Sequence, residues 1–236
     1  LAALAQEVAE RSGLAAADHS ISLALGNLRT EPGDRLVAFL TGFGDAPVIL
    51  AATVAAAAWL LLRKQVHLAL GVALTVAISS GLATILKVGM AIPRPTALYE
   101  GAQVYGFPSG HTTSTATLMG VLIWFVWTGF RSVFWRKAVV VALAAIVGVI
   151  AASRLYLAAH WPSDVAGGLL LGAGLTLCFA LAFHRADLRP ARPAVTVMLS
   201  LAVFFGFGAW HSGQSLPQAM AMYAPPPTPV RIVSRT

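Results

Sequence analysis

The chain has 236 residues, of which 58% are hydrophobic and only 11% charged, with a mean hydropathy of +0.77. A soluble domain carries about 25% charged residues, so this composition excludes a disordered chain and argues against an ordinary soluble fold. The formal net charge is +7, but the basic residues stand mostly between apolar stretches, the membrane-protein pattern, so no nucleic-acid partner is expected.

Residues 1–40 come first and read differently from the rest. Leu1, Leu4, Ala5 and Val8 follow helical spacing, and Ile21, Leu25 and Leu28 repeat it. Gly13 and the run Glu31-Pro32-Gly33-Asp34 interrupt the pattern. Two readings stand: amphipathic helices lying in the membrane interface, or a helical cap packed on a bundle. Six apolar stretches of 17 to 21 residues follow: Ala46–Leu62, Val66–Leu86, His111–Phe130, Ala138–Leu157, Val165–Phe183 and Ala194–Trp210. About 20 residues of helix cross a bilayer, and lipid cannot satisfy open backbone groups. The expected fold is therefore all-α, an integral membrane bundle of about six transmembrane helices with an N-terminal interfacial amphipathic segment.

The expected organisation is an interfacial segment at 1–40, a core at 41–185, an additional transmembrane helix at 186–212 and a linker at 213–236. The tail Ala224-Pro225-Pro226-Pro227-Thr228-Pro229 reads as semi-rigid. With Leu1 in place of Met, it leads to the expectation of further segments on both sides. The single cysteine, Cys178, lies inside an apolar run, which leaves no internal disulfide and no cysteine zinc cluster.

Charge orients the bundle. On one side of the six spans the connections hold Arg63, Lys64, Arg131, Arg136, Lys137, Arg185, Arg189 and Arg192 against a single acid, Asp187. The positive-inside rule makes that side cytoplasmic. The chain ends and regions 86–110 and 153–164 then face outward.

Three clusters fall on that outer side. Lys87 with Arg94-Pro95 closes the second span, Pro108-Ser109-Gly110-His111 opens the third, and Ser153-Arg154, His160 and Asp164 lie between the fourth and fifth. Lys87, Arg94 and Arg154 are three cations at one level, and guanidinium forks match phosphate oxygens. Each alone would read as a basic residue reaching for the head groups. Ser109-Gly110-His111 before a long helix reads as an anion site at a helix N-terminus, or as a plain cap with Ser109 at N-cap. His160 and Asp164 lie four apart, and Pro162 suits a helix start. Asp164 can therefore reach back and fix the His160 tautomer, or it is simply an acid favoured by the dipole. His19, His67, His184 and His211 have no partners at telling spacings and read as structural. A zinc site from His111, His160 and Asp164 is conceivable, but the adjacent cations would repel the metal, so no metal or other cofactor is expected.

Lys87-Val-Gly-Met-Ala-Ile-Pro-Arg94-Pro95, Pro108-Ser109-Gly110-His111 and Ser153-Arg154-Leu-Tyr-Leu-Ala-Ala-His160-Trp-Pro-Ser-Asp164 together resemble, over about residues 40–185, the type 2 phosphatidic acid phosphatase (PAP2) family. The resemblance implies a membrane lipid phosphatase in which His160 attacks phosphorus, Asp164 holds its far nitrogen and His111 protonates the leaving group. Lys87, Arg94, Ser109, Gly110 and Arg154 would bind the phosphate. It implies a lipid phosphate or diphosphate substrate, such as undecaprenyl diphosphate or phosphatidate, and membrane lipids as partners. The expected place is a bacterial inner membrane with the site toward the periplasm. Two other readings remain at this point: a haloperoxidase-like enzyme holding vanadate, and a non-catalytic transporter or anchoring module with an anion site. The chain departs from the family in lacking a span ahead of the interfacial helices and in adding Ala194–Trp210.

Overall fold

A computed structural model describes residues 13–95, 104–186, 188 and 190–224. The Leu1–Val8 repeat and the 225–236 tail therefore lie outside the described residues. Among the described residues eight α-helices follow in order: α1 Gly13–Gly26, α2 Glu31–Thr41, α3 Ala46–Leu62, α4 Val66–Met90, α5 Gly110–Gly129, α6 Val133–Tyr156, α7 Pro162–Arg185 and α8 Pro193–Tyr223, with a 3₁₀ turn, Gly42–Gly44, before α3. Among the described residues there is no strand, only an isolated antiparallel bridge between Pro93 and Tyr105. The chain is an all-α membrane protein.

Helix starts follow local chemistry. α2, α3, α7 and α8 each carry proline in the first turn, where its missing N–H would have no helical partner anyway. This corrects the reading of Glu31-Pro32-Gly33-Asp34 as an interruption. Thr30 caps α2 by accepting from the Gly33 amide at 3.2 Å, so the run is a first turn.

Four helices, α4, α6, α7 and α8, are long and apolar enough to cross a bilayer, and the pair formed by residues 31–44 and α3, bent by 44°, passes as a fifth. The expected count of six is not reached by length and hydropathy among the described residues. α5 does not qualify because its N-terminal half carries Thr112, Thr113, Ser114, Thr115 and Thr117, all buried inside the bundle. α5 is the central helix, with 11 of its 20 residues buried. Leu118, Leu122 and Phe125 pack there against Val48 and Ala52 of α3 and Phe179 of α7 in one continuous core. α7 approaches α5 closely: a Cβ at Gly168 would stand 2.9 Å from the Ser109 carbonyl oxygen, and one at Gly172 3.0 Å from that of Thr113. Glycine at both positions brings the start of α7 against the start of α5.

One segment differs from expectation, and another follows the helical-cap reading. α8 does not end near Trp210 but runs to Tyr223, so residues 213–223 are helix rather than linker, with Pro217 inside it. α1 is docked on the bundle, its Asp18 accepting from the Ser163 amide and hydroxyl at the head of α7. It still leaves Ile21 and Leu23 exposed.

Candidate active site

All three clusters meet at one end of the bundle, where α4 and α6 finish and α5 and α7 begin. α4 ends on Ala91 in the left-handed region (φ 49°), which turns the chain into Arg94-Pro95. The returning strand of chain is clipped to it by Gly106 N–H donating to Ile92 O at 2.7 Å. Lys87 is buried, and its ammonium donates to the carbonyl oxygens of Tyr105 (3.1 Å) and Gly106 (3.0 Å).

The turn between α6 and α7 pivots on Ala158, also left-handed (φ 51°). It is tied to the first cluster by Trp161 Nε1–H donating to Pro93 O at 2.9 Å. His160 is buried, with Nδ1 3.1 Å from Asp164 Oδ2. The same oxygen accepts the Trp161 amide at 3.0 Å. The Arg94 guanidinium stands 2.7 Å from His160 Nε2 and donates to Ala159 O at 2.8 Å. A guanidinium can only donate, so Nε2 carries the lone pair and the proton sits on Nδ1, toward Asp164. His160 titrates well below the usual histidine range, first because it is buried and then because Arg94, Arg154, Lys87 and His111 surround it. A neutral imidazole with its free electron pair on Nε2 is the nucleophilic form.

His111 lies at the start of α5. Its Nε2 is 2.7 Å from Asp45 Oδ1, and the other Asp45 oxygen is 2.9 Å from His211 Nε2. Ser109 stands at the N-cap of α5, yet its side chain makes no capping bond and instead accepts from the Thr112 hydroxyl at 3.0 Å. Arg154 is fully buried and donates to the Thr41 hydroxyl (2.8 Å) and the Tyr223 hydroxyl (2.9 Å). Tyr223 is held in turn at its carbonyl oxygen by Arg29, which also pairs with Asp34 at 3.0 Å.

A cavity of about 360 Å³ lies between these groups, lined by Lys87, Arg94, Gly110, His111 and His160 together with Ala46 and Ser80. Ser109, Arg154 and Asp164 are buried behind that lining. Five of the eight expected site residues thus face the cavity directly, and three support them. The conceivable zinc set does not assemble, because His111 turns its Nε2 to Asp45 while His160 and Asp164 pair with each other. Sequence reading missed Asp45, Thr41 and Tyr223 and set His211 aside as structural. These residues reach the site from α8 and from the 31–45 region, at separations that leave no local pattern.

The sequence profile of the PAP2 superfamily matches residues 64–189, more than half of the chain. No curated protein matches by sequence. The fold is similar to the crystal structure of a transmembrane PAP2-type phosphatidylglycerolphosphate phosphatase from Bacillus subtilis, with a TM-score of 0.69 and 24% identity. That match covers 80% of this chain and 94% of the other.

Proposed function

This chain belongs to the PAP2 superfamily, and on that premise we propose that it hydrolyses lipid phosphates or diphosphates, without a metal ion, through a phosphohistidine at His160. One observation carries the reading. The polar cavity that holds His160, Arg94 and Lys87 shares Ala46, Ser80 and Ser114 with an apolar groove of about 480 Å³ running between α3 and α4 past Ile49, Val54 and Val76. A phosphate head in the cavity could therefore keep its hydrocarbon chain in the groove.

The chemistry follows from the tautomer. Phosphate oxygens draw the Arg94 fork off His160 Nε2 and take its N–H groups themselves. Nε2 then attacks phosphorus, forming the P–N bond as the bond to the leaving oxygen breaks, and His111 gives that oxygen a proton. Asp164 holds the Nδ1–H throughout and stabilises the cation formed on His160. Water next attacks phosphorus, passing a proton back to His111 as the P–N bond breaks, and both histidines are restored. Arg94, Lys87 and, from behind, Arg154 neutralise the equatorial oxygens, the main requirement of phosphoryl transfer. Three cations with the Gly110 amide take the part a metal plays elsewhere.

In this reading the cavity faces the periplasmic side of a bacterial inner membrane, because the opposite connections hold the eight-to-one excess of basic over acidic residues. The test is phosphate release by the purified protein from a panel of lipid phosphates and diphosphates, with and without EDTA. Turnover unaffected by chelation and inhibited by vanadate is expected. No release from any of the panel, or loss on chelation restored by Mg²⁺ or Zn²⁺, would overturn the proposal.

A further inference from the structure

We propose that Asp45 and His211 are positioning residues for the general acid, forming with His111 a His–Asp–His relay that helices outside the PAP2-matched segment add to the site. The inference rests on the phosphatase reading above and concerns residues it does not use.

Asp45 occupies the N-cap of α3, where an aspartate usually accepts from the helix's first amides. Here its side chain makes no capping bond. One oxygen meets His111 Nε2 at 2.7 Å and the other meets His211 Nε2 at 2.9 Å. Both carboxylate oxygens are thus turned away from the helix they could cap and toward two imidazoles from different helices. An ionised carboxylate only accepts, so each Nε2 carries a proton, and both ring tautomers are set by one group.

The backbone is shaped for this contact. Gly44 precedes Asp45, and a Cβ there would stand 3.0 Å from His111 Cδ2 and 2.8 Å from Ile150 Cγ2. The 3₁₀ turn therefore packs on the His111 ring only because position 44 has no side chain. His211 is steadied from its other side by Phe207, whose ring lies 27° from parallel at 6.0 Å.

The need for such a relay arises from the phosphate site itself. The groups around His111 are Arg94 beyond α4, Arg154 on α6, His160 in the following turn and His211 on α8, with Lys87 lining the same cavity. Burial and the cations there disfavour a protonated imidazole, whereas a bonded carboxylate favours it. Because Nε2–H is bonded to Asp45, the proton that His111 gives must come from Nδ1, so the ring has to be doubly protonated when the leaving oxygen departs. Asp45 supplies the opposing charge, and His211 fixes Asp45 by its second oxygen. Asp45 and His211 both fall outside residues 64–189, so this chain completes the acid with its own flanking helices.

The test exploits the leaving group. A phosphomonoester expels an alkoxide, which needs a proton, whereas a lipid diphosphate expels a phosphate whose second pKa is about 6 and leaves with less help. Asp45→Asn keeps the shape and removes the charge. It should lower kcat on phosphatidate by about tenfold or more while affecting a lipid diphosphate much less, and it should add nothing in a His111→Ala background. Equal loss on both substrates, no loss, or a further loss on top of His111→Ala would overturn the relay. Wild-type protein inactive on both substrates would instead remove the phosphatase reading beneath it. A readout independent of turnover is the ¹⁵N spectrum of histidine-labelled protein in detergent. His111 and His211 should both show Nε2 protonated and hydrogen-bonded, a state they lose in Asp45→Ala; ring nitrogens unmoved by Asp45→Ala would contradict the inference.

Discussion

Helices α4 to α7 and the turns between them carry Lys87, Arg94, Gly110, His111 and His160, and these side chains or amides line the cavity. The flanking region 31–45 and α8 carry Thr41, Asp45, His211 and Tyr223. These reach the site through side chains of the same four helices: Thr41 and Tyr223 through the buried Arg154 of α6, and Asp45 and His211 through His111. The first set presents charge and electron pairs to a ligand, and the second decides where those groups point. A change in the first set should therefore stop the chemistry, and a change in the second should grade it.

The largest expected effect is on the first side. Asp164→Asn preserves shape but lets the amide donate to Nδ1, which moves the His160 proton to Nε2 and removes the nucleophilic electron pair. By analogy with the orienting aspartate of a catalytic triad, kcat should fall by about 10⁴. A loss under tenfold would mean that Asp164 is only a first-turn acid of α7. On the flank, Tyr223→Phe deletes one hydrogen bond to a buried guanidinium, worth about 1.5–3 kcal/mol. Arg154 keeps Thr41, so KM should rise by about tenfold while kcat changes little. A kcat collapse equal to that of Asp164→Asn would erase the distinction between the two regions.

The smallest effect is on stability. His160 is held neutral well below its ordinary value, while the unfolded chain binds its proton near pH 6.5. Below that pH the unfolded state holds more protons, so stability falls as pH falls, by at most about 1.4 kcal/mol per unit from this group. Unfolding in detergent at pH 7.5 and 5.5 should show the decline in the wild type and a shallower one in His160→Gln. Identical slopes would mean that His160 is not held neutral in the folded protein.

The two regions also differ in how far the sequence revealed them. His160, Pro162 and Asp164 sit within one turn of chain, so their pairing follows from helical geometry, and the structure places Nδ1 and Oδ2 3.1 Å apart. Ala46–Leu62 coincides with α3 because its residues are apolar from end to end. The end of α8 was illegible for the opposite reason. His211, Ser212 and Gln214 end the apolar run, yet the helix continues, because His211 bonds Asp45 and Ser212 is buried against Gly42. Polar residues that look like the end of a membrane span from sequence are here the part of the helix that faces the site. The Asp45–His211 contact joins residues 166 apart, a separation that no periodicity encodes. Lys87 was found by its motif, but its grip on the Tyr105 and Gly106 carbonyls depends on how the chain returns through residues 104–109.

The central claim is that His160 becomes covalently phosphorylated. The most direct measurement is an alkaline quench of the wild-type protein during turnover of a ³²P-labelled lipid phosphate, followed by peptide mapping. The account predicts a label that survives alkali, is lost in acid, maps to His160 and is absent from His160→Ala. Sustained turnover with no trapped label, or a label on another residue that persists in His160→Ala, would contradict it.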